Sequence, residues 1–227
     1  MSAKIDHMLR DGTCDIEITT DASSSVGGGA WQSEGDMQVQ QAMDGVLSFD
    51  SIIATREGFI RWTEEELHLF KVGLSAEHGS EGPISINVLE FFTVMYFIML
   101  WGPSLKGKRI RINCDNTAAI AWLMKSRGSN KSPVAQSLVK AFVVYCVAMD
   151  ITITPRHIPG VLNTKADILS RLISLQESFK SVPDIKTEAW WKGLSRAEIC
   201  RGFLRASILE PSSMPLQKAL DLVKSLL

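Results

Sequence analysis

The run Val88-Leu-Glu-Phe-Phe-Thr-Val-Met-Tyr-Phe-Ile-Met-Leu-Trp101 is apolar on nearly every helical face, interrupted only by Glu90 and Thr93. No side of such a helix is suited to water, so other elements must wrap it. Crossing a bilayer takes about 20 apolar residues. The uninterrupted stretch is about half of that, and Gly102–Pro103 ends it. The expectation is therefore a short helix buried at the centre of a globular domain, with no membrane partner. Glu90 then stands out, because a carboxylate among core-type neighbours is costly to bury unless it is paired or bound to a cation. Taken alone, it is a snorkelling or salt-bridged residue.

The elements around that helix alternate between two periodicities. Cys14-Asp-Ile-Glu-Ile-Thr-Thr-Asp21 alternates apolar and polar residues as a half-buried strand does. Ala22 to Gly29 is turn-like, and Ala30-Trp31-Gln32 resumes the strand pattern, which predicts a hairpin. Gly45–Asp50 is a candidate strand, and Thr63 with Glu66 forms a capping-box pattern. Lys108–Cys114 alternates cleanly, and Asn116 has N-cap chemistry for a helix over Thr117–Met124. A loop over 125–133, a helix over Val134–Met149, a strand over Ile151–His157 and a helix over Thr164–Leu175 follow. This order implies a mixed sheet with helices packed on it. Beyond residue 175, Pro183, Pro211 and Pro215 punctuate helical pieces at about Ser195–Ile208 and Leu216–Leu227, with Trp190–Trp191 before them.

Composition limits the class. Apolar residues make up 45% and charged residues 22%, which rules out wholesale disorder. The net charge of −1 hides an asymmetry: residues 1–100 hold 5 basic and 16 acidic side chains, whereas Lys106, Lys108, Arg109, Arg111, Lys125, Arg127 and Lys131 face Asp115 alone. Such a stripe is either an ordinary solvated surface or a track for a phosphate backbone. The four cysteines (Cys14, Cys114, Cys146, Cys200) show no metal-type spacing and fit buried thiols. The N-terminal residues carry no signal-peptide pattern, so an intracellular, soluble protein is expected, in a compartment the sequence does not specify.

Four acids end or begin elements: Asp21 after the first strand, Glu90 in the apolar helix, Asp115 after the Lys108–Cys114 strand, and Asp167 near the start of the 164–175 helix. The chain has 25 acidic residues, so position alone proves little. The local strings say more. Thr20-Asp21-Ala22-Ser23 with Gly27–Trp31, Asn87-Val-Leu-Glu90, Cys114-Asp115-Asn116-Thr117-Ala118-Ala119, and His157-Ile-Pro-Gly160 through Asn163, Ala166-Asp167 and Leu169-Ser170-Arg171 together resemble the ribonuclease H of DIRS-type and gypsy-type retroelements. The resemblance covers roughly residues 14–172 and implies an α/β fold: a ribonuclease H-like mixed five-stranded sheet with helices on both faces, plus a C-terminal helical extension. The expected organisation is an arm at 1–13, the domain at 14–175 with an acidic insertion at about 33–83, and a helical extension at 176–227 packed on the core or on a partner.

The resemblance assigns metal ligation and catalysis to Asp21, Glu90, Asp115 and Asp167, and adds His157, a residue type that at a strand end is otherwise structural. It implies Mg²⁺, with Mn²⁺ as a substitute, because hard cations take carboxylates and water. The implied activity is divalent-metal-dependent hydrolysis of the RNA strand of an RNA–DNA hybrid, in a reverse transcriptase-associated setting. Ser23, Asn87 and Asn116 are candidates for contacting 2′-hydroxyls, and Lys125, Arg127 and Lys131 for holding the backbone. Two departures stand out: the Asp21–Glu90 interval is long, and the chain has neither a reverse transcriptase signature nor a tyrosine recombinase set. Two alternatives remain open. One is a repurposed domain acting as a structural or RNA-contacting subunit, with the C-terminal helices meeting a protein partner. The other is an integrase or transposase of the same fold.

Overall fold

The computed structural model describes residues 14–34, 43–45, 54–72, 84–171, 188–209 and 224, with the backbone alone for 188–195. The N-terminal arm, residues 46–50 of the candidate strand, residues 172–175 of the expected helix, all but residue 224 of the helix expected over 216–227 and the side chains of Trp190 and Trp191 lie outside that description.

Five strands form one sheet: β1 (Ile16–Ala22), β2 (Gly27–Glu34), β3 (Arg56–Arg61), β4 (Arg109–Cys114) and β5 (Thr152–His157). Their order across the sheet is β3-β2-β1-β4-β5. β1 runs antiparallel to β2 and parallel to β4, which in turn runs parallel to β5. The helices are α1 (Glu64–Val72), α2 (Ile86–Leu100), α3 (Gly102–Leu105), α4 (Thr117–Lys125), α5 (Pro133–Ala148), α6 (Thr164–Ser170) and α7 (Glu188–Leu209). This is the mixed five-stranded α/β architecture that the resemblance implies.

The glycines of β2 show how the faces are dressed. A Cβ on Gly28 would lie 2.3 Å from the Thr93 hydroxyl of α2, and one on Gly29 would lie 2.5 Å from the Ser170 nitrogen of α6. Neighbouring residues of a strand face opposite ways, so α2 and α6 cover opposite faces. These glycines were expected in the turn, but the turn is Ser23–Val26 and all three lie within β2. Close approach of a helix to strand backbone demands the missing side chain.

β1 departs from the expected half-buried strand, since all seven of its residues are buried. Ile16, Ile18 and Ala22 join the main core. On the other face, Glu17 accepts from Arg111 (3.0 Å), Arg156 (2.8 Å) and Asn113 (3.1 Å). A paired polar ladder thus replaces the solvated face of the strand.

α2 is wrapped as its composition requires: Val88 through Met99 are all buried. It packs against β1 and β2 on one side and against α4, α5 and α7 on the others. Phe91 meets Trp122 of α4 and Phe142 of α5 at centroid distances of 6.1 and 5.7 Å. Each such buried aromatic contributes about 1.5–3 kcal/mol through area removed from water. No described helix is long and apolar enough to cross a membrane.

α7 lies within the expected C-terminal extension, and it packs on the core. Ala197, Cys200, Phe203, Leu204 and Ile208 belong to the main core cluster. The capping box at α1 helps hold it: Thr63 N–H donates to Glu66 Oε2 and Glu66 N–H to Thr63 Oγ1, while Arg201 pairs with the same Glu66 oxygen and donates to the Arg61 carbonyl at 2.7 Å. The apolar face of α7 is spent inside the fold. The expectation that this helix serves a protein partner therefore loses its support.

Candidate metal centre

The sheet brings the strand-borne acids together by register. β1 and β4 are adjacent and parallel, so Asp21 and Asp115 leave the same end of neighbouring strands. α2 crosses the sheet with Glu90 near its start, and α6 lays Asp167 across the opposite face. Glu90, Cys114 and Asp115 offer ligand atoms that all lie within 4.8 Å of one another.

Each carboxylate has its own surroundings. Asp21 is buried, and its Oδ2 accepts from the Ser170 hydroxyl at 2.5 Å. Burial pushes its pKa to about 6; the Ser170 hydrogen bond opposes the rise, and Asp115 and Asp167 add to it. Glu90 is 4% exposed. Burial first, then Asp21 and Asp115, push its pKa to about 9, against the pull of the Ala22 N–H and the Cys114 thiol. The half-buried Asp115 is confined by Gly160, where a Cβ would stand 2.9 Å from its Oδ2. Asp167 is half-buried, and Arg171 Nε donates to its Oδ1 at 2.6 Å.

Of the four acids the close group holds Glu90 and Asp115 alone, and Asp21 and Asp167 are linked to it through electrostatics. Glu90 feels Asp21 and Asp115, and Asp21 feels Asp115 and Asp167. Carboxylates packed so that their charged forms are disfavoured make a place a cation would relieve. The donors are oxygens from separate elements, and burial holds the Cys114 thiol well above its ordinary pKa, hence neutral. Such a set fits a hard divalent ion such as Mg²⁺ or Mn²⁺.

His157 ends β5 and is exposed, with Nε2 3.0 Å from the Asp115 carbonyl oxygen, so that nitrogen is engaged with the main chain. Asn116 caps α4, its Oδ1 accepting from Ala118 and Ala119, and its Nδ2 donates to Asn87 Oδ1 at 2.8 Å. The pair flanks Asp115 and Glu90. Ser23 is buried in the turn, where its Oγ accepts from Ser25 N–H and its carbonyl from Trp62 Nε1. It builds the turn, and its hydroxyl faces no acid of the set among the described hydrogen bonds.

Lys125, Arg127 and Lys131 are exposed at the far end of α4 and in the loop beyond it. The nine residues of α4, at about 1.5 Å each, set Lys125 about 13 Å from the acids. Arg111, counted in the basic stripe, is spent on Glu17.

Sequence reasoning missed two residues. Cys114 passed for an ordinary buried thiol, although it shares the parity of Ile110 and Ile112 and so faces the helix that carries Glu90. Ser170 was only part of a string, and its hydroxyl proves to hold Asp21.

No family model and no curated protein matches the sequence. Among solved structures, the chain is similar to LC11 ribonuclease H1, isolated from compost by a metagenomic approach. The two are 14% identical with a TM-score of 0.43, and the match covers 68% of this chain and 91% of that one. A likeness this distant carries no functional weight.

Proposed function

We propose that this chain is a divalent-metal-dependent endoribonuclease that cuts the RNA strand of RNA–DNA hybrids, with the ancestry in retroelements that its local strings imply. One observation carries the reading: Glu90 and Asp115 stand in one close group, and Asp21 and Glu90 are raised by the neighbouring acids, Asp115 acting on both, Asp167 on Asp21 and Asp21 on Glu90. Asp21, Glu90, Asp115 and Asp167 would hold Mg²⁺ or Mn²⁺. When bound, such ions activate a water and stabilise the leaving oxygen of a phosphodiester.

The chain's own groups supply the rest. Glu90 holds a proton at neutral pH and would give it up to solvent on binding a cation. His157, with Nε2 on the Asp115 carbonyl, has Nδ1 as the ring atom able to hold or pass a proton beside the centre. Asn87, its Oδ1 taken by Asn116, presents its amide NH₂ to a 2′-hydroxyl in the wide minor groove of a hybrid. Lys125, Arg127 and Lys131 grip the phosphate backbone away from the cut, a contact that is salt-dependent and indifferent to sequence. The core of this activity spans residues 14–171, with α7 as part of the same folded unit.

The test is cleavage of a labelled RNA–DNA hybrid by the purified chain in Mg²⁺, beside duplex RNA and duplex DNA. Cutting confined to the RNA strand of the hybrid supports the reading. Tight hybrid binding without cutting in Mg²⁺ or Mn²⁺ overturns it and leaves an RNA-contacting subunit.

A further inference from the structure

We propose that Ser170 is a positioning residue that fixes one oxygen of Asp21 so that the other is presented to a cation. The inference rests on the metal-centre reading above.

A serine inside a helix ordinarily turns its hydroxyl back to the carbonyl three or four residues earlier. Ser170 lies 2.9 Å from such a carbonyl, that of Asp167, yet its hydroxyl also stands 2.5 Å from Asp21 Oδ2. It has one proton to give. A contact of 2.5 Å is typical of a hydroxyl donating to a carboxylate, roughly twice as strong as a neutral pair. Ser170 is 1% exposed and Asp21 6%, so water does not substitute for the donor.

The sheet sets up this contact. Asp21 pairs directly with Gly29 across β1 and β2. A Cβ on Gly29 would stand 2.5 Å from the Ser170 nitrogen and 2.6 Å from the Ala166 carbonyl oxygen. The bare glycine lets α6 sit down on the strand at the one register where the hydroxyl reaches the aspartate. Asn163, whose Nδ2 donates to the Thr20 carbonyl at 3.0 Å, pins the start of α6 to the same strand. With Oδ2 held, Oδ1 is the oxygen Asp21 has to offer.

The experiment measures Mn²⁺ dissociation constants on the full chain by calorimetry, at pH 8 and well below melting. The variants are Ser170→Ala, Ser170→Thr and, as a control, Ser207→Ala, which removes a buried hydroxyl from α7. Ser170→Ala is expected to weaken Mn²⁺ binding about tenfold, Ser170→Thr to restore most of it, and Ser207→Ala to leave it unchanged. A purely structural role would lower the melting temperature of Ser170→Ala while its Mn²⁺ affinity stayed at the wild-type value. That result overturns the positioning role and leaves the metal centre standing. Failure of the wild-type chain to bind Mn²⁺ overturns the centre itself, and this inference with it.

Discussion

Replacing Glu90 by glutamine tests the cost of burying that carboxyl beside Asp21 and Asp115, without any need for activity. The carboxyl is 4% exposed, and its pKa rises from 4.5 to about 9. Between those values the folded chain keeps a proton that the unfolded chain has lost, so stability falls as pH rises through the window. The contribution is complete below pH 4.5 and gone above about 9. At about 1.4 kcal/mol per unit, the interval from 4.5 to pH 7 puts the loss at about 3 kcal/mol. Local relaxation reduces that bound, and about 2 kcal/mol is the working figure. Glutamine keeps the shape and an acceptor for the Ala22 N–H but titrates nothing. In EDTA at pH 7 the variant should therefore melt about 4–8 °C above wild type. The difference should nearly vanish at pH 5 and widen towards pH 8.5. Saturating Mg²⁺ should raise the wild type and leave Glu90→Gln far less affected. Melting curves from pH 5 to 9 decide the matter. A variant less stable than wild type at pH 8 without metal, or a gap that ignores pH, refutes the reasoning.

Asp115→Asn should leave metal-free stability level or slightly higher, lower hybrid cleavage by several orders of magnitude, and spare hybrid binding, as gel shifts beside cleavage assays would read. Millimolar Mg²⁺ or Mn²⁺ should raise the melting temperature by mass action on the folded centre, with about 2.7 kcal/mol gained at a hundredfold excess over the dissociation constant; Ca²⁺ should stabilise without supporting cleavage. Phe203→Ala should cost about 3–5 kcal/mol in urea titrations, since this α7 ring is buried in the main core. A cost below about 1 kcal/mol would return α7 to the status of an attached extension.

The acids of the candidate centre stood out in the sequence because Asp21 and Asp115 lie at the ends of strands and Glu90 and Asp167 near the starts of helices. Asp115 follows a clean alternation and precedes an N-cap asparagine, and Glu90 interrupts an apolar helix. β3 was not legible. Arg56-Glu-Gly-Phe-Ile-Arg61 is a short edge strand whose residues are mostly exposed or half-buried, so alternation does not register. Its Gly58 is there because the Phe97 ring sits 2.7 Å from where a Cβ would be, a tertiary reason no local window contains. The helix over Ser195–Ile208 was legible as a helix, but the choice between core and partner depends on what α2 leaves uncovered. Cys114 and Arg111 were misjudged for the same cause: strand parity tells which face a side chain takes, and only the neighbouring elements tell what waits there.

The burial of α2 on all sides has a consequence for the order in which the molecule can be made. The last of its described walls, α7, ends at Leu209, roughly 110 residues after α2 ends at Leu100, and synthesis at about 5–20 residues per second takes about 5–20 s to cover that interval. Throughout it the nascent chain carries a Phe- and Met-rich helix with one flank bare, the kind of surface that recruits chaperones or aggregates. Translation that stalls within the interval would therefore release not a trimmed but working protein but a sticky fragment for the cell to clear.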